Sequence, residues 1–163
     1  MIQKKVCLLG ATGVGKTSLV KQFVDGMFSE KYLTTIGVKV DKKLVETAKG
    51  EVQLMIWDIE GIDRYCGFQA KYLRGASAYI IVTDSTRSQS LVEGLEIHQM
   101  AQEVSDVPAI LAINKNDLGV AWHWTKEELN GYSKEFDSCF TTSAKTGNNV
   151  EALFLRLAQM VLD

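Results

Sequence analysis

Much that would mark a secreted, membrane-spanning or nucleic-acid-binding chain is missing from this sequence. Its three cysteines, Cys7, Cys66 and Cys139, are odd in number, widely separated and in no metal-ligand spacing. They argue against a disulfide framework, suit a reducing compartment and read as structural thiols. No apolar run approaches the ~20 residues needed to cross a bilayer. The opening M-I-Q-K-K-V-C-L-L-G passes from charge into an apolar run too short for a secretory signal, so the expected location is cytoplasmic. Excess charge of one sign is absent too. Eighteen basic residues stand against twenty acidic ones, which removes the whole-chain electrostatics of nucleic-acid binding but leaves open a small anion held by local dipoles. Histidine is scarce. His98 lies in a helical stretch without a metal-ligand motif and reads as a surface or boundary residue.

The single proline, Pro108, stands just before a strand-like run, where it removes no central ladder bond. No linker, repeat or low-complexity segment interrupts the 163 residues, 46% of them hydrophobic, so one domain over 1–163 is expected.

Periodicity supplies the architecture. A short apolar run at 6–9 leads through a glycine-rich turn into an amphipathic stretch at 16–24. Runs at 38–47 and 51–57 flank Lys49-Gly50 and read as an antiparallel hairpin. Strand then helix follows three times: 78–83 with 91–103, 109–114 with 125–136, and 139–142 with 150–162. The expectation is a doubly wound α/β fold, a six-stranded, mostly parallel sheet with one antiparallel edge strand and helices on both faces.

Gly10 to Thr17 reads G-A-T-G-V-G-K-T, the G-x-x-x-x-G-K-[ST] pattern, and it falls between a predicted strand and a predicted helix. Glycines at 10, 13 and 15 let successive backbone N–H groups, those of Val14 and Gly15 among them, turn toward a β-phosphate. The new helix, with Ser18 in its first turn, adds its positive dipole end. Lys16 supplies a point charge and Thr17 a hydroxyl for Mg²⁺. This loop specifies a nucleoside triphosphate and leaves the base open.

The base is addressed by N-K-N-D at 114–117, at the carboxyl end of a predicted strand, where open α/β sheets bind ligands. The Asp117 carboxylate is a double acceptor for guanine N1–H and N2–H, whereas adenine presents an acceptor on that edge. S-A-K at 143–145 follows the sixth strand, and the Ala144 N–H is a candidate donor to guanine O6. An ordinary polar turn is the bland reading of Asn114 and Lys115.

In this order and spacing, the strings resemble the Ras-superfamily small GTPases, across essentially the whole chain. T-T-I-G-V at 34–38, W-D-I-E-G at 57–61, Y-L-R-G-A at 72–76 and S-A-K-T-G-N-N-V at 143–150 resemble the Rab-like branch. The resemblance implies a P-loop G domain that binds GTP and GDP with Mg²⁺. It assigns the phosphates and base to Gly13, Val14, Gly15, Lys16, Thr17, Ser18, Asn114, Lys115, Asp117, Ser143, Ala144 and Lys145. By the same resemblance Thr35 coordinates Mg²⁺ and meets the γ-phosphate, Asp58 holds Mg²⁺ through water, and Gly61 offers its N–H to the γ-phosphate, so Lys16, Thr35 and Gly61 form the catalytic set. Phe28 packs against guanine or else serves the core. Losing the γ-phosphate would release two switch segments that effector and regulatory proteins read.

Three departures stand out. Where Rab-like chains carry W-D-T-A-G-Q-E, this one reads W-D-I-E-G-I-D, and Ile62 replaces the glutamine that orients the attacking water. Slow intrinsic hydrolysis is expected. Glu60, near Arg64, either swings outward or substitutes as the water-orienting group. The chain stops at L-A-Q-M-V-L-D without a lipidation motif, so no direct lipid anchor is expected in it. Either a tail lies beyond this sequence or the protein works without one, as would suit a prokaryotic member. W-H-W at 122–124 is a partner site or a loop packed on the body. Three functions stay open: a GTPase switch, a guanine-nucleotide-dependent binding module with little hydrolysis, and a P-loop ATPase or kinase. The last leaves N-K-N-D and S-A-K without a role.

Overall fold

In the computed structural model, residues 2–11, 13–26, 38–59, 70–118 and 126–163 are described. The strands are β1 (Gln3–Leu9), β2 (Val38–Thr47), β3 (Gly50–Ile59), β4 (Ala78–Asp84), β5 (Ala109–Asn114) and β6 (Ser138–Thr141). The helices are α1 (Lys16–Asp25), α2 (Ser88–Val104), α3 (Lys126–Ser133) and α4 (Val150–Val161). They build a six-stranded sheet in the order β2-β3-β1-β4-β5-β6, parallel except for β2, which lies antiparallel to β3 at one edge. The expected architecture is the observed one.

Strand alternation divides the core in two. Val6 and Leu8 of β1, Ile80 and Val82 of β4, and Ile110 and Ala112 of β5 join α1 and α4 on one face. There Phe23 stacks on Phe154 with ring centroids 4.0 Å apart. Cys7, Leu9, Tyr79, Ile81, Leu111 and Ile113 point to the other face, where Leu91, Leu95, Ile97 and Ala101 of α2 cover them. The hairpin closes at Lys49-Gly50 as expected, with the Thr47 hydroxyl donating to the Gly50 carbonyl at 2.8 Å. Among the described residues no helix is long and apolar enough to cross a membrane.

Local readings needed three corrections. His98 is buried, 5% exposed, not a surface or boundary residue, because the face of α2 that carries it packs on β4. Its Nδ1 is hydrogen-bonded with the Tyr79 hydroxyl at 2.7 Å, and its ring stacks on Phe136 at 4.2 Å. The second correction follows from that contact: α3 ends at Ser133, short of 136, since tight turns at 134–136 deliver Phe136 into the core. Third, Cys139 is exposed on edge strand β6, whose burial is only partial, while Cys7 is fully buried as a structural thiol. Burial pushes the Cys7 thiol up to about 12 against the opposing pull of Lys5. Cys66 lies outside the described residues.

Burial also pushes the His98 pKa below its ordinary 6.5, against the opposing effect of the Glu135 carbonyl and the charges of Glu135 and Asp137. The folded imidazole therefore resists a proton that the unfolded chain accepts. Its contribution to stability is complete above about pH 6.5 and is lost as pH falls below it. Urea unfolding should show a midpoint that drops on acidification from pH 7, and His98→Gln should flatten that part of the curve. Parallel curves for the two proteins would remove His98 as the cause.

Candidate functional site

The site lies at the carboxyl ends of β1, β3, β5 and β6. Its first part runs from Gly10 to Gly15, between β1 and α1. Gly15 forms the N-cap of α1 at φ 97°, and no side chain caps that helix end. A Cβ at Gly15 would lie 2.3 Å from Asn114 Nδ2, so both backbone hand and space require glycine there. Gly13 bends the loop at φ 80°, and Val14 is buried beneath it. Lys16 is 5% exposed at the first position of α1, and Ser18 is half-buried one turn in. The Thr17 hydroxyl donates to Asp58 Oδ2 at 2.6 Å, joining the start of α1 to the end of β3.

The second group comes from β5 and β6. Asn114 is 1% exposed. Its Nδ2 donates to the Val14 carbonyl at 3.0 Å, while its Oδ1 accepts from the Thr142 hydroxyl at 3.2 Å and from the Ala144 N–H at 3.3 Å. Lys115, in the left-handed region at φ 64°, reaches back to give Nζ to the Gly13 carbonyl at 2.9 Å. The exposed Asp117 carboxylate accepts from the buried Ser143 hydroxyl at 2.8 Å, so its orientation is set before any ligand arrives. Gln22 of α1 donates to the Ala144 carbonyl at 3.0 Å, and Lys145 is exposed beside it.

The structure thus gathers Gly13, Val14, Gly15, Lys16, Thr17, Asp58, Asn114, Lys115, Asp117, Ser143 and Ala144 from distant parts of the chain. Phe28, Thr35, Glu60, Gly61, Ile62, Arg64 and the W-H-W of 122–124 lie outside the described residues. Sequence reasoning passed over Thr142, Gln22 and Asp84. The signal for Asp84 was its place at the end of β4, among the same strand ends. Its 1%-exposed carboxylate lies 3.0 Å from Lys115 Nζ. Burial pushes that carboxyl upward, but hydrogen bonds from the Thr86 hydroxyl and N–H and from Lys115 outweigh it, and its pKa ends below the ordinary value.

The set fits an anionic ligand above α1 and a divalent cation beside Thr17. A hydroxyl and a carboxylate held together are hard oxygen donors. Among the described residues no group of three or more His, Cys, Asp or Glu forms a protein cage. That chemistry suits Mg²⁺, which keeps water and ligand oxygens in most of its positions.

Comparison with known proteins agrees with this geometry. A family model described as the Ras family matches residues 5–163. The Ras-related protein Rab5 of Nicotiana tabacum is 37% identical over 161 residues, covering 97% of this chain and 80% of its own. The human Ras-related protein Rab-37 is 38% identical over 161 residues, covering 95% and 71%. The human Ras-related protein Rab-30 is 39% identical over 159 residues, covering 94% and 77%.

The Asn114 contact makes Gly15 testable against Gly26, which has the same backbone hand at φ 68° and open space around it. Gly26→Ala should cost about 1–2 kcal/mol of stability, the backbone effect alone. Gly15→Ala should cost roughly 1–3 kcal/mol more, because the methyl meets the Asn114 amide. Equal losses in urea unfolding would contradict the close approach.

Proposed function

The chain belongs to the Ras family, and on that premise we propose that it is a GTP- and GDP-binding switch, one G domain over 1–163, with slow intrinsic hydrolysis. The observation that carries this reading is the Asn114 amide, which ties the phosphate loop at Val14 to the guanine-reading segments at Thr142 and Ala144. A site that spans a phosphate cradle and a base reader with one buried side chain is built for a whole nucleotide.

In this reading the N–H groups from Gly13 to Ser18 and the Lys16 ammonium hold the phosphates. Thr17, Asp58 and Thr35 hold Mg²⁺, which draws charge from the β- and γ-oxygens when bound. Asp117, aimed by Ser143, takes guanine N1–H and N2–H. The Ala144 N–H, whose bond to Asn114 is long, is shared with guanine O6. Lys115, Lys145 and Phe28 flank the ring. Thr35 and Gly61 meet the γ-phosphate.

The register supports coupling between the two switch segments. Val38, where the chain re-enters β2, pairs with Ile59, from which it leaves β3. A ligand that holds both segments therefore acts at one end of one ladder, next to Asp58. Effector and regulatory proteins would read the same end, where Val40 is 43% exposed on β2. A cytoplasmic setting is part of the proposal.

Ile62 favours a second reading, a guanine-nucleotide-dependent binding module that hardly hydrolyses. The two separate in one series. Purified protein is denatured, the released base is identified, and phosphate release is followed after loading with GTP in Mg²⁺. Guanine with slow release is expected. Ile62→Gln should then raise the single-turnover rate about tenfold, the effect of one added hydrogen bond to the reacting water. Guanine without any release in either protein supports the binding module, and adenine sinks both readings.

A further inference from the structure

We propose that Asp84 and Ser85 are positioning residues for the guanine site, acting through Lys115, which they hold at both ends. This inference rests on reading 114–117 as the base-binding segment. The strand that carries them, β4, lies between β1 and β5, so its carboxyl end stands between the phosphate loop and N-K-N-D.

The buried Asp84 carboxylate divides its two oxygens. Oδ1 accepts from the Thr86 N–H at 2.8 Å and hydroxyl at 2.6 Å, which locks the carboxylate to its own turn. Oδ2 accepts from Arg87 Nε at 3.1 Å and faces Lys115 Nζ at 3.0 Å. Ser85, fully buried, holds the other end: its N–H donates to the Asn114 carbonyl and its hydroxyl to the Lys115 carbonyl, each at 2.9 Å.

Two features of Lys115 need such support. Its backbone is left-handed, a conformation a lysine does not keep unaided, and the Ser85 hydroxyl fixes the carbonyl that results. Its ammonium is shared between Gly13 and Asp84, so the stem is held at the ammonium as well as at the Ser85-bound backbone and passes beside the phosphate loop. A Cβ at Gly15 would lie 3.9 Å from Lys115 Cε, ordinary contact distance. Pinned in this way, the four-carbon stem is an apolar bar beside the loop, and the rotamer freedom that an unanchored lysine would lose on packing against a purine is already lost. Asp84 supplies the counter-charge that makes the pinning favourable, and touches no nucleotide itself.

The test is a double-mutant cycle on the full chain, read as the dissociation rate of a fluorescent GDP analogue in excess unlabelled GDP and Mg²⁺. Asp84→Asn keeps the size of the side chain but sets an amide against the ammonium. It should speed dissociation about tenfold, equivalent to ~1.4 kcal/mol. Lys115→Met, which keeps the stem and removes the charge, should do about the same. The double variant should dissociate no faster than the quicker single one, a coupling that a merely structural role for Asp84 would not produce.

Multiplying effects, or wild-type dissociation from Asp84→Asn, would overturn the proposal. If Asp84→Asn does not fold, Ser85→Ala decides: about threefold faster dissociation supports the positioning role, and an unchanged rate overturns it. A wild-type protein that fails to bind GDP would fell the base-site reading itself and this inference with it. Binding with additive variants would fell this inference alone.

Discussion

A single buried amide holds the site together. Asn114 stands at the end of β5 with its donor on the loop before α1, 100 residues away in the chain, and its acceptor on the segment after β6, 28 to 30 residues away, so three loops share one side chain. A buried amide left unsatisfied costs more than a made bond returns, so these partners specify one arrangement of the loops rather than merely favouring it. Gly15 is part of the same constraint, because any larger residue would occupy the place of the amide.

The platform beneath is rigid for a different reason. Strands β1, β4 and β5 are covered on both faces, and their alternating side chains feed two separate apolar layers. Loops that leave the carboxyl ends of such strands inherit their spacing, which explains how short polar segments keep their relative positions without a core of their own. Ion pairing then refines what packing fixes. Asp84 collects Thr86, Arg87 and Lys115 around one carboxylate, and Lys115 carries that order across to Gly13.

Residue types with a steric or donor signature were legible in the sequence. Gly13 and Gly15 bend where the pattern placed them, Thr17 meets Asp58, and N-K-N-D and S-A-K arrive side by side. What escaped notice was the bracing of one loop by another through backbone carbonyls, as when Asn114 and Lys115 hold Val14 and Gly13, because every residue has a carbonyl and none advertises its use. His98 was misjudged for a related reason. Helical period tells which residues share a face, but the partners Tyr79 and Phe136 come from elsewhere in the chain. The end of α3 was misplaced because tertiary burial of Phe136 overrode helix propensity.

The central claim is that guanine is chosen by the Asp117 carboxylate, aimed by Ser143 from the end of β6. Competition between GDP and xanthosine diphosphate on wild type and Asp117→Asn tests it most directly. An amide offers one acceptor and one donor, which suits the N1–H and C2 carbonyl of xanthine and fails the two donors of guanine. The substitution should lower GDP affinity about a hundredfold, roughly two hydrogen bonds to a charged group, and should raise affinity for the xanthine nucleotide. Unchanged preference for GDP in Asp117→Asn would contradict the account.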